Sequence, residues 1–131
     1  MSLVEGLPLE IENILEVGCG NGWLSEKLAN MGAITGVDIA DEAIKEAQQR
    51  VPSGTFIAGD ILSLNLPNDS FDVIVSLETF SHVVDQPLFV HKLAGLLRSD
   101  GWLVLTTQNR NVYSKRSKTL DLRRRANCAG G

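Results

Sequence analysis

Apolar positions along the chain fall into short runs separated by stretches of helical spacing, an alternation that predicts successive strand–helix units and a parallel sheet. Asn13 to Val17 reads as a strand running into Gly18-Cys19-Gly20-Asn21-Gly22. From Trp23 to Met31 the spacing predicts a helix with Leu24, Leu28 and Met31 on one face, stopped by Gly32. Ala33 to Asp38 is a second strand. Asp41 to Arg50 is a second helix, with Ala43, Ile44 and Ala47 inward and Asp41 and Glu42 at its positive end. Pro52 ends it, Thr55 to Ala58 gives a third strand, and residues 66–70 give a turn. Phe71 to Leu77 is apolar except for Asp72 and Ser76, as expected of a central strand covered on both faces. A further helix is predicted from Asp85, with Pro87 in its first turn and Leu88, Phe89, Leu93, Leu96 and Leu97 inward; Asp100-Gly101 then leads into a fifth strand, Trp102 to Thr107. Beyond Thr107 the periodicity stops.

Composition narrows the class. The chain has 131 residues, 44% hydrophobic and 21% charged, which fits one soluble domain with a genuine core. No run of eighteen apolar residues exists and the N-terminus lacks a basic-then-apolar leader, so neither a membrane span nor secretion is expected and the cytoplasm is the expected location. Cys19 and Cys128 are too far apart to form a disulfide framework, and with only His82 and His91 beside them no metal site is expected.

The net charge of −4 conceals an asymmetry. From Arg110 onward seven basic residues face Asp121 alone, so the tail carries +6 and residues 1–109 carry −10. The division expected is a ligand-binding domain over 1–109 and a basic tail over 110–131, flexible or covering a sheet edge. With Val112, Tyr113, Leu120 and Leu122 as its sizeable apolar residues, the tail has material for one short helix or strand. Tyr113 is its one aromatic residue, which argues against nucleic-acid binding, where bases need stacking partners.

Chemistry concentrates at the glycine turn. Glycines allow positive φ and close backbone approach to a ligand, and the helix that follows turns N–H groups toward the same point. The spacing Gly-x-Gly-x-Gly differs from the Gly-x-Gly-x-x-Gly of dinucleotide sites. Glu16, two residues before the turn, would repel a pyrophosphate and suit an amino group or a sulfonium. Asp38, at the end of the second strand, can accept both hydroxyls of a ribose. An adenosine bearing a cation satisfies both acids, and a nicotinamide dinucleotide is the disfavoured alternative.

These residues resemble the class I S-adenosylmethionine-dependent methyltransferases, in particular the small-molecule group that includes quinone-pathway enzymes. The matching pieces are Leu15 to Gly22, Gly36-Val37-Asp38-Ile39, Gly59-Asp60-Ile61, Asp69 to Ser76, and Leu96 to Gly101. The resemblance implies a Rossmann-like doubly wound sheet, for which this chain supplies five strands in the order 3-2-1-4-5 and lacks the last two of the family's 3-2-1-4-5-7-6. It implies that S-adenosyl-L-methionine is the cofactor and S-adenosyl-L-homocysteine the product. The backbone of Gly18, Cys19, Gly20, Asn21 and Gly22 would hold the methionine part, with Glu16 facing its ammonium group. Asp38 would bind the ribose, Ile39 would lie against the adenine, Asp60 would accept from the adenine amino group, Ile61 would flank the ring, and Ser76 would border the methionine part and the substrate.

Transfer of a methyl group from a sulfonium needs mostly positioning, with a base only where the nucleophile must lose a proton. His82, beyond the fourth strand, is the candidate base, although Ser81 stands where relatives often carry Glu. Ser76-Leu77-Glu78-Thr79 lacks the Pro-Pro-aromatic signature of amino-group methylation of bases, leaving an O, N or C atom of a small molecule as acceptor. Cys19 reads as a filler in a tight turn, Asp72 as structural, His91 as a surface or packing residue, and Trp23 as a packing residue at a helix start or a border of the methionine part. A sheet ending at the fifth strand would expose an edge, which a homodimer could cover. A catalytically incomplete cofactor-binding or regulatory remnant of such an enzyme is the other reading.

Overall fold

The computed structural model describes residues 11–77, 86–106, 111–115 and 123–124. The strands are β1 (Asn13–Val17), β2 (Ala33–Asp38), β3 (Thr55–Ala58), β4 (Phe71–Leu77), β5 (Leu97–Thr106), β6 (Asn111–Lys115) and β7 (Arg123–Arg124), and the helices are α1 (Trp23–Leu28), α2 (Asp41–Arg50) and α3 (Gln86–Leu96). They form one sheet of order β3-β2-β1-β4-β5-β6-β7. The first five strands are parallel, in the predicted order 3-2-1-4-5.

The sheet has a core on each face because strand side chains alternate. On one face Ile14, Ile34, Val73, Val75 and Val104 pack with Leu24 and Leu28 of α1. On the other, Leu15, Val17, Ile74, Leu103 and Leu105 pack with Phe89, Leu93 and Leu96 of α3. β4 lies between β1 and β5, and every side chain from Phe71 to Ser76 is buried, as its apolar run predicts. Fully burying a leucine such as Leu103 contributes about 2 kcal/mol, so these two layers dominate the stability of the fold.

Asp72 fastens the lower end of the sheet. Its Oδ2 accepts the backbone N–H groups of Glu12 at 2.8 Å and Asn13 at 2.7 Å, while Oδ1 pairs with the guanidinium of Arg98. The carboxylate is fully buried and joins β4, the entry to β1 and the start of β5, where the β4–β5 register shifts between Phe71 and Val73.

Three local expectations change. α1 ends at Leu28, and the chain then turns with Met31 N–H donating to the Leu28 carbonyl. Leu88 is 49% exposed, and Leu97 belongs to β5, which starts before the Asp100-Gly101 pair rather than after it. The tail also does more than expected. β6 pairs antiparallel with β5 from Trp102↔Lys115 to Thr106↔Asn111, and β7 pairs with β6, so two strands form where one short element was predicted. Their order, β5-β6-β7, differs from the 5-7-6 of the family, and β6 occupies the edge of β5 that motivated a covering homodimer.

Candidate functional site

The order of strands places a topological switch between β1 and β4: after β1 the chain moves outward through β2 and β3, then returns to the other side of β1. In open parallel sheets the crevice at the carboxyl ends of the strands at such a point is where ligands bind. Residues Gly18 to Gly22 and Asp38 lie at this end, and Ser76 lies near the end of β4.

The turn is built on left-handed backbone. Gly18, Gly20 and Gly22 have φ of 79°, 54° and 86°, a region closed to most side chains. The N–H groups of Gly18 and Cys19 both donate to the Val37 carbonyl, at 2.7 and 3.0 Å, tying the turn to the end of β2. The two later glycines then serve different ends. A Cβ on Gly20 would meet nothing within 4 Å, leaving room for a ligand against the backbone. One on Gly22 would come within 2.9 Å of Ala47 Cα, so that glycine is required for packing the turn on α2.

Asp38 anchors the same turn. Its Oδ2 accepts the Gly20 N–H and its Oδ1 the Ala40 N–H, each at 2.9 Å. Every carboxylate oxygen has a second lone pair, so both remain able to accept from a ligand hydroxyl.

Glu16 is 4% exposed, and Ser25 of α1 donates its hydroxyl to Oε1 at 2.5 Å. Burial pushes the Glu16 carboxyl up to about 7; the Ser25 hydrogen bond opposes this, and the charge of Asp38 adds to it. Among the described residues neither acid is paired with a basic side chain. Ser25 escaped the sequence reading. Its signal was a hydroxyl between the inward-facing Leu24 and Leu28, on the helix that follows an acid-bearing strand.

The other candidates separate by role. Cys19 is 5% exposed, and burial together with the charges of Glu16 and Asp38 pushes its thiol up to about 12, so it stays neutral and fills the turn. Asn21 Oδ1 accepts from the Trp23 N–H at 3.3 Å, satisfying one of the first-turn donors expected to face a ligand. Ile39 is 77% exposed beside Asp38, an apolar surface at the mouth of the crevice. Asp60 is exposed, and its Oδ1 accepts the Leu62 N–H at 3.0 Å. Ile61, 6% exposed, belongs to the core. Ser76 is fully buried and its hydroxyl has no partner among the described residues. Trp23, expected to pack, is 60% exposed with the Lys27 ammonium 5.1 Å from its ring centre. His91 is exposed, as expected, while His82 lies outside the described residues. Among the described residues no group of three or more His, Cys, Asp or Glu could hold a metal ion, and no helix is long and apolar enough to cross a membrane.

This geometry defines a class of protein, and comparison with known proteins agrees. Residues 15–105 match the methyltransferase domain family, and the chain belongs to it. It is 38% identical over 109 residues to a ubiquinone biosynthesis O-methyltransferase of Idiomarina loihiensis, an alignment covering 79% of this chain and 45% of that protein. Among solved structures it is similar to the N-methyltransferase NodS of Bradyrhizobium japonicum in complex with S-adenosyl-L-homocysteine, with a TM-score of 0.66 and 30% identity over 72% of this chain and 52% of that one. The YcgJ protein of Bacillus subtilis aligns with a TM-score of 0.68 and 26% identity over 73% of this chain and 44% of that one. The chain spans about half the length of the curated relatives it matches.

Proposed function

We propose that the protein uses S-adenosyl-L-methionine to methylate an oxygen, nitrogen or carbon atom of a small molecule in the cytoplasm. One observation carries this reading: two acids without cationic partners among the described residues, Glu16 and Asp38, flank a glycine turn that is open at Gly20. Acids on both sides of a turn disfavour a pyrophosphate, whereas an amino acid joined to adenosine through a sulfonium brings cations to one acid and ribose hydroxyls to the other.

The residues fit that cofactor. Glu16 would receive its ammonium group, Asp38 its ribose and Ile39 one face of its adenine, with Asp60 at the adenine edge. The backbone from Gly18 to Gly22 would follow the methionine chain, and the Ser76 hydroxyl would find a partner there that the described residues do not provide. When bound, the sulfonium supplies an activated methyl group together with its leaving group. The protein contributes orientation: Asp38 fixes the turn through Gly20, and the β2 carbonyl of Val37 fixes it through Gly18 and Cys19. His82 is the proposed base for an acceptor that must lose a proton. A hydroxyl acceptor is the first class to examine, because relatives at 34–38% identity are named as O-methyltransferases.

Calorimetry with S-adenosyl-L-homocysteine and with NAD separates the cofactor classes; tighter binding of NAD would reject the reading. Incubation with methyl-labelled cofactor and a panel of phenols, amines and acidic carbon compounds then tests transfer. Binding with no labelled product from any of them would favour a protein that holds the cofactor without transferring its methyl group.

A further inference from the structure

Glu16 is a buried carboxylate whose single hydrogen bond among the described residues comes from Ser25, itself fully buried. This 2.5 Å contact favours the charged form of the carboxyl over the neutral one, against the pull of burial. It engages Oε1 and leaves Oε2 with no donor from the described protein groups. Among the described residues no cation lies in its polar surroundings. Asp38 of β2 and Cys19 of the turn both couple to Glu16, one an acid and the other a neutral thiol. The strand neighbours are Gly36 and Val75, and on α1 Glu26 and Lys27 are exposed, away from the inward face that carries Ser25.

We propose that Ser25 is a positioning residue for Glu16, and that a ligand ammonium group docking on the oxygen Ser25 leaves free displaces a proton from Glu16 into solvent. This rests on the reading that the glycine turn binds the amino-acid end of S-adenosyl-L-methionine. The balance is simple: a neutral carboxyl and an ammonium become a carboxylate–ammonium pair plus one solvent proton, with no other group changing state. Burial holds the free carboxyl at about 7, the Ser25 bond restrains that rise, and an adjacent cation would lower it well below neutrality. Affinity for an ammonium-bearing ligand therefore rises with pH through neutrality, and Ser25 sets where the rise falls.

The test is calorimetry of S-adenosyl-L-homocysteine binding to the full chain at pH 6, 7 and 8, in buffers of differing ionisation heat. Proton release that declines from pH 6 to pH 8 is expected, with Kd falling several-fold over the same range. Glu16→Gln should abolish both the release and the pH dependence. Ser25→Ala, which removes a donor to the charged form, should move the half-release point above pH 7 and regain affinity at higher pH; a purely structural role would weaken binding equally at every pH. If Ser25→Ala does not fold, Ser25→Cys, nearly isosteric and a weaker donor, carries the same expectation. Binding without buffer-dependent heat and with a flat pH profile would overturn the proposal and leave the cofactor reading standing. No binding at any pH would overturn both.

Discussion

Glu16 and Asp72 are both buried acids on neighbouring parallel strands, yet they serve opposite ends of the sheet in opposite ways. Asp72 accepts two backbone N–H groups and pairs with Arg98, so its charge is compensated where it sits. Among the described residues Glu16 receives one hydroxyl and faces a second acid. Burial costs a carboxylate several kcal/mol unless partners offset it. One end of the sheet is therefore complete within the protein, and the other retains an electrostatic deficit that a cationic ligand can fill. An acid left short of partners in a crevice is a mark of function, whereas an acid fully paired is a mark of architecture.

Substitutions can sharpen this contrast. The largest effect is expected from Asp72→Ala, which orphans two N–H groups and unpairs Arg98: about 3 kcal/mol of stability lost in urea unfolding, with affinity for S-adenosyl-L-homocysteine unchanged in the folded protein. A comparable loss of affinity would show that the lower end also shapes the site. At the upper end the sign reverses. The Glu16 carboxyl is raised in the folded state from 4.5 to about 7, so the folded protein binds more protons between these values and stability falls as pH rises through them. Glu16→Gln should remove that fall and stabilise the ligand-free protein at pH 8, while gaining nothing at pH 4. Thermal melts across this range check it, and equal pH slopes for the two proteins would refute it.

A smaller effect is expected at Asp38. Asp38→Ala removes the acceptor of the Gly20 and Ala40 N–H groups and the proposed ribose contact, and should weaken S-adenosyl-L-homocysteine by roughly 1.5–3 kcal/mol in calorimetry. Unchanged affinity would reject its assignment. The smallest stability change belongs to Gly20→Ala, about 1 kcal/mol for left-handed backbone with no steric neighbour, yet the added methyl enters the open space and should abolish ligand binding. Gly22→Ala should instead destabilise the fold through contact with Ala47, which distinguishes the two glycines by unfolding and binding measurements together.

Much of the fold was legible because period-two and helical spacing report burial directly. The limits of β1 to β4 and of α2 follow from apolar runs bounded by Gly, Pro and Asp. Where prediction failed, distant contacts decided. Leu88 satisfies the helical pattern yet stands exposed, and Leu97 continues the periodicity of α3 yet pairs with Phe71 as a strand. The tail's few apolar residues predict one short element, but β6 forms on the edge of β5 through backbone hydrogen bonds, which composition does not record.

At the site, the sequence alone determined which chemical groups are available: three glycines after one strand, an acid before them and another acid ending the next strand. Those follow from residue type and short-range spacing, because a turn and its flanking strand ends are local. Only the tertiary structure decided how these groups differ. It separated Gly20, open to a ligand, from Gly22, closed on Ala47, and it moved Ile61 into the core while leaving Ile39 exposed. It also brought Ser25 to Glu16 and set the charge of Asp38 near that carboxyl, since burial, Coulomb interaction and hydrogen bonding depend on neighbours that the fold, and not the local sequence, assembles.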